Sequence, residues 1–78
     1  SSDLIADVDI LDSWAGKTLK ELKIREKYGV NVIAVKRGGV LLINPSADEP
    51  MKNNDVFVLL GRNQTLQKIA NAARGEKR

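Results

Sequence analysis

From Leu4 to Leu11 apolar and polar positions alternate, with Ala6, Val8 and Ile10 on one side and Asp7 and Asp9 on the other. A period of two predicts a strand with one wet face. Asp12-Ser13-Trp14-Ala15-Gly16 interrupts the pattern and reads as a connection, with Trp14 laid over the core as a lid. Thr18-Leu19-Lys20-Glu21 then matches a capping box, in which the Thr18 hydroxyl takes the N3 amide and Glu21 reaches back. The helix that follows carries a phase slip. Leu19 and Leu22 share a face, but Ile24 falls about 200° around an ideal helix from Leu22. Two short helical pieces with a break near Lys23 are expected, the second turning Ile24 and Tyr28 to the core. Gly29 is placed to close it in a left-handed conformation.

The next segment loses alternation. Val32-Ile33-Ala34-Val35 is apolar throughout, and such a run predicts a strand covered on both faces. Lys36-Arg37-Gly38-Gly39 turns the chain back, Gly-Gly fitting a two-residue hairpin turn. Val40–Ile43 returns, again wholly apolar, and stops at Asn44-Pro45. Residues 46–55 form a loop with Met51 as its core anchor. Val56–Leu60 is a third apolar strand, which Gly61 is expected to end. Asn63 is placed to cap a last helix whose stripe is Leu66, Ile69, Ala70 and Ala73. Asn63-Gln64-Thr65 also spells a glycosylation sequon but is read as a helix start.

The order β-α-β-β-β-α predicts an α+β fold: a four-stranded mixed sheet with helices on one side, begun by a right-handed parallel β-α-β unit. Two consecutive strands apolar on both faces offer more greasy surface than one helical layer covers, so a dimeric assembly is expected. Length supports this. A chain of 78 residues is a single domain that buries only about 60% of its unfolded surface, and such domains lean on a partner. The ordered core is expected over residues 4–73, with a basic tail at 74–78.

Composition excludes some chemistry. Cys and His are both absent, which removes thiolate nucleophiles and the commonest metal ligand and general base. The carboxylates are scattered over wet faces, and no enzyme activity is expected. No apolar run is long enough to span a bilayer, so direct membrane insertion is not expected, and a cytoplasmic home fits best. The net charge of +3 is mild. Lys17, Lys20, Lys23, Arg25 and Lys27 cluster on the helical segment, with Glu21 and Glu26 among them. That mixture reads as a solvated face, and no nucleic-acid partner is expected, although a small nucleic-acid-binding domain is kept as an alternative.

Gly16-Lys17-Thr18-Leu19, Tyr28-Gly29-Val30, the strand end Val32–Arg37, Asn44-Pro45, and Asp55 before the last strand follow one another in a telling order. Over nearly the whole chain, from Leu4 to about Ala73, this resembles the C-terminal domain of regulators of potassium conductance. That is the RCK_C or TrkA_C type, found in Ktr and Trk gating subunits. The amino-terminal nucleotide-binding domain usual beside it would show G-x-G-x-x-G, which does not occur here. The resemblance implies a homodimeric regulatory, ligand-sensing module, joined through its full-length protein to a membrane-embedded potassium transporter subunit. Some Ktr-type members bind cyclic di-AMP across the dimer two-fold. Carried over, their contacts fall on Val32, Ile33, Lys36, Arg37, Gly38, Val40 and Asn44, and on Arg62 in the Gly61-Arg62 turn. No covalent cofactor is implied. Under this reading Val32, Ile33 and Val40 offer apolar contact to a base, and Asn44 offers both donor and acceptor to its edge. Arg37 and Lys36 meet a phosphate. An aromatic at position 40 would stack better than Val40 does. The alternative is a ligand-free dimerisation module, with Val32, Ile33 and Val40 packed on their symmetry mates.

Overall fold

In the computed structural model, which describes residues 3–76, the chain runs β1 (Asp3–Asp9), a 3-10 turn (Asp12–Trp14), α1 (Leu19–Leu22), α2 (Ile24–Tyr28), β2 (Asn31–Arg37), β3 (Val40–Ile43), β4 (Val56–Arg62) and α3 (Asn63–Glu76). The class is α+β, as the alternation of patterns implies. The local signals behave as their chemistry demands. Thr18 and Glu21 form the reciprocal capping box, and Lys23 adopts a left-handed φ of 50°, which divides α1 from α2 where the apolar phase slips. Gly29 closes α2 at φ 71°. Gly38 and Gly39 both have positive φ, 54° and 80°, the signature of a primed hairpin turn.

The strand order is β1-β4-β2-β3, and every adjacent pair is antiparallel. The expected mixed sheet is corrected here. β1 and β2 do run in the same direction, but β4 is inserted between them, so no parallel ladder forms. The residue pattern gives the reason. Asp7 and Asp9 suit β1 to an edge with one wet face, whereas β4 is apolar at successive positions and suits the centre.

One face of the sheet carries the helices. Val8, Val35, Phe57 and Leu59 pack in a single cluster with Leu22 and Ile24 of α1–α2 and Leu66 and Ile69 of α3. Trp14 closes this core as expected, 5.7 Å from the Phe57 ring. Tyr28 does not enter it. It is 38% exposed and lies against Trp14 at 6.1 Å, on the outer rim. Met51 is buried and anchors its loop by exchanging backbone bonds with Gly16 and Lys17 at 2.7 and 2.8 Å.

Two features of the strands differ from the sequence reading. The unbroken run in β2 contains a β-bulge: Val32 lies opposite Leu59 and Ala34 opposite Val58, which leaves Ile33 as the extra residue. The bulge lets Val32 and Val35, an odd number of positions apart, both face the helices. Gly61 does not end β4 but lies buried within it. The Val30 side chain comes so close that a Cβ on Gly61 would have no room. β4 then runs directly into α3, and Asn63 is the first helical residue rather than a residue ahead of it. Helix α3 continues to Glu76, whose carboxylate accepts from the Ser13 N–H and hydroxyl at 3.1 and 3.2 Å. Arg74 and Glu76 therefore belong to a docked helix, and the remainder of the expected tail, Lys77 and Arg78, lies outside the described residues.

Candidate functional site

The hairpin end is held by one side chain. Arg37, the last residue of β2, donates Nε to Asp55 Oδ1 at 3.0 Å and Nη2 to Asp55 Oδ2 at 2.8 Å. It also donates Nη1 to Glu49 at 2.8 Å and Nη2 to the Pro50 carbonyl at 3.2 Å. Four of the five guanidinium N–H donors are thus committed. Asp55 is buried, 1% exposed, and also accepts the Lys52 N–H at 2.8 Å. Burial acts to raise the Asp55 pKa, but the hydrogen bonds from Arg37 and Lys52 and the charge of Arg37 prevail, and it lies below the ordinary carboxylate value. The same bonds to Asp55 and Glu49 push the Arg37 pKa up. A buried fork of this kind closes the 44–55 loop over the end of the sheet, because either partner alone would leave a charge out of water.

Beside this clasp runs an edge strand with little cover. In β3, Val40 is 57% exposed, Leu41 50% and Ile43 73%. Register places Leu41 opposite Lys36 and Ile43 opposite Ala34, on the sheet face away from the helices. Ile5, Val58 and Leu60 share that open face, and across it Lys36 donates to Asp7 at 2.5 Å. At the far end of β3, Asn44 turns the chain with φ 52°, and its N–H donates to the Ile33 carbonyl at 2.9 Å. A concavity of about 390 Å³ opens there, lined by Leu41–Ser46 and Glu49.

The structure brings some predicted residues together and separates others. Arg37, Gly38 and Val40 meet at the hairpin turn, and Ile33 and Asn44 meet at the opposite end of β3, about 13 Å away at strand rise. Lys36 and Arg37 do not act as a pair. As neighbours on a strand they point to opposite faces, Lys36 to Asp7 and Arg37 to Asp55. Val32 faces the helices, in a separate concavity with Leu19, Ile24 and Asn31. Arg62 lies at the other end of the sheet, opposite Asp3 and about 20 Å along the strands from Arg37. Glu49 and the burial of Asp55 were not foreseen. An Asp just ahead of an apolar strand reads as a turn residue, and only the Arg at the close of the preceding hairpin strand hinted at a partner.

The arrangement is an open-faced α+β sheet whose edge strand is apolar and exposed, beside a hairpin end clasped by charge. The chain belongs to the TrkA-C domain family, whose pattern matches residues 5–74. Among curated relatives, the Ktr system potassium uptake protein C of Bacillus subtilis is 38% identical, over 82% of this chain and 26% of that protein. The K(+)/H(+) antiporter subunit KhtT of the same organism is 40% identical, over 87% of this chain and 44% of that protein. The chain thus spans under half the length of either. A solved structure of the RCK C domain of the potassium transport protein KtrA, in complex with cyclic di-AMP, superposes with TM-score 0.82 at 28% identity, covering 88% of this chain and 81% of that one. BusR of S. agalactiae in complex with promoter DNA shares the fold at 17% identity and TM-score 0.71, over 95% of this chain and 38% of that one. At that identity the likeness bears on the fold alone.

Proposed function

We propose that this chain is a regulatory, non-enzymatic domain of a potassium-transport system, one that pairs with a second copy along β3 and binds cyclic di-AMP between the two. The observation that carries the reading is the exposed apolar edge of β3, adjoining a concavity that contains Asn44 and a guanidinium at the hairpin turn. Apolar surface of that kind on a small domain marks an interaction site. A two-fold symmetric dinucleotide suits a two-fold interface, since each copy supplies the same patch once. Ile33 and Asn44 would hold a base, and Arg37 with the Gly38 backbone would meet a phosphate. The KtrA complex, the nearest in sequence of the structures compared above, supports the ligand class. The full-length protein would work in the cytoplasm, docked to a membrane-embedded transporter subunit. No helix among the described residues is long and apolar enough to cross a membrane.

Calorimetric titration of the purified chain with cyclic di-AMP, with cyclic di-GMP as control, tests this reading. Asn44→Gly keeps the left-handed backbone while removing the amide, and it should weaken binding about fivefold or more, the scale of a lost polar hydrogen bond. Absence of heat at high micromolar ligand, with dimerisation intact, would favour the second reading, a ligand-free dimerisation module. One observation supports that second reading: the donors of Arg37 are already largely satisfied within the protomer.

A further inference from the structure

The two carboxylates on Arg37 are not equivalent. Asp55 is buried, takes two guanidinium donors, and is pinned by the Lys52 N–H. Its removal from Arg37 would leave a charge out of water. Glu49 holds only Nη1, through one oxygen at 2.8 Å, and its side chain is 38% exposed. It also lines the concavity that contains Asn44. A negative charge therefore stands in the place where an anionic ligand would seek the guanidinium, and the two anions repel at that spacing.

We propose that Glu49 is a built-in competitor for the anionic ligand, seated on Arg37 in the unliganded domain and displaced from Nη1 by a phosphate oxygen. The inference rests on the ligand reading given above and adds its regulation. Displacement has a mechanical consequence. The 46–50 segment is folded on itself, with the Glu49 N–H donating to the Ser46 carbonyl at 3.1 Å and the Asp48 N–H to the Ser46 hydroxyl at 3.2 Å. It is also docked on α1, where the Lys20 N–H donates to the Ala47 carbonyl at 3.0 Å. Arg37 ties this segment to the hairpin through Glu49 and the Pro50 carbonyl. Ligand occupancy at the hairpin is thereby transmitted to the start of α1.

The test is titration of the 78-residue chain and its Glu49→Gln variant with cyclic di-AMP, joined to amide hydrogen exchange over residues 46–49. Glutamine keeps the size and an acceptor but removes the charge. The variant should bind about five- to tenfold more tightly, and ligand should speed exchange of the 46–49 amides in the parent. Equal or weaker binding by Glu49→Gln, or exchange in the parent that ligand leaves unchanged, would overturn the competitor role while leaving the binding reading intact. Failure of both proteins to bind would remove the binding reading, and the competitor with it.

Discussion

Gly61→Ala is the substitution whose cost can be worked most directly from the structure. Gly61 is buried in the central strand β4, and its φ is outside the left-handed region. Space alone refuses a side chain. A Cβ would fall inside the contact distance of Val30 Cγ1 and 3.1 Å from Val30 Cβ. Val30 is only 1% exposed and β-branched, so it cannot swing aside without leaving its rotamer. Overpacking of this kind costs about 1–3 kcal/mol, partly offset by about 0.4–1 kcal/mol from the stiffer unfolded chain. A net loss near 1.5 kcal/mol lowers the melting temperature by about 6–12 °C in a domain of this size. Total stability is of order 4–12 kcal/mol, so the loss is large but not fatal. Thermal and urea melts followed by far-UV circular dichroism provide the measurement. Val30→Ala should partly rescue the variant, with the double substitution more stable than the sum of the singles by about 1 kcal/mol. A Gly61→Ala protein that melts within about 2 °C of the parent, or strict additivity with Val30→Ala, would refute the close-approach argument.

The Asp55 pKa is depressed in the folded state, so its contribution to stability is complete above the ordinary value of 3.8 and is lost as pH falls below that toward the folded value. Urea midpoints measured from pH 6 to pH 2.5 should therefore fall less steeply for Asp55→Asn than for the parent, whose midpoint at pH 6 should be the higher. Ile43→Lys, at a position 73% exposed, should shift sedimentation equilibrium toward monomer while moving the monomer's own stability by no more than about 0.5 kcal/mol; an unchanged oligomeric state would place any interface elsewhere. Thr18→Ala removes the acceptor for the Glu21 N–H and the hydroxyl donor to the Glu21 carboxylate, keeping the backbone donor, and should cost about 1 kcal/mol in a denaturant melt.

The devices whose cause lies within a turn of the chain were legible in the residues alone. Thr18 and Glu21 meet because they are three positions apart. The break at Lys23 follows from a phase slip between Leu22 and Ile24. Gly38-Gly39 turns because both positions need positive φ. The α3 stripe of Leu66, Ile69 and Ala73 is buried because its spacing matches the helical period. In the candidate site, the greasy edge at Val40, Leu41 and Ile43 was likewise visible, since nothing in so short a chain could cover it. The position of Asn44 as a turn residue was visible too.

Other features needed the whole molecule. Which strand lies beside β1 is a competition among distant segments, and β4, apolar on both faces along most of its length, takes an inner place between β1 and β2. The bulge at Ile33 exists to reconcile Val32 and Val35 with one helical layer, a constraint that appears only once Phe57 and Leu59 are opposite them. Gly61 looked like a stop and is a clearance for Val30. Arg37, expected at a phosphate, is a clasp within the protomer, because Asp55 and Glu49, 18 and 12 positions further on, are brought to it by loop closure. Short-range signals decide what each segment becomes. Burial, partners and charge balance belong to contacts between segments, and those come into being only when the chain has closed on itself.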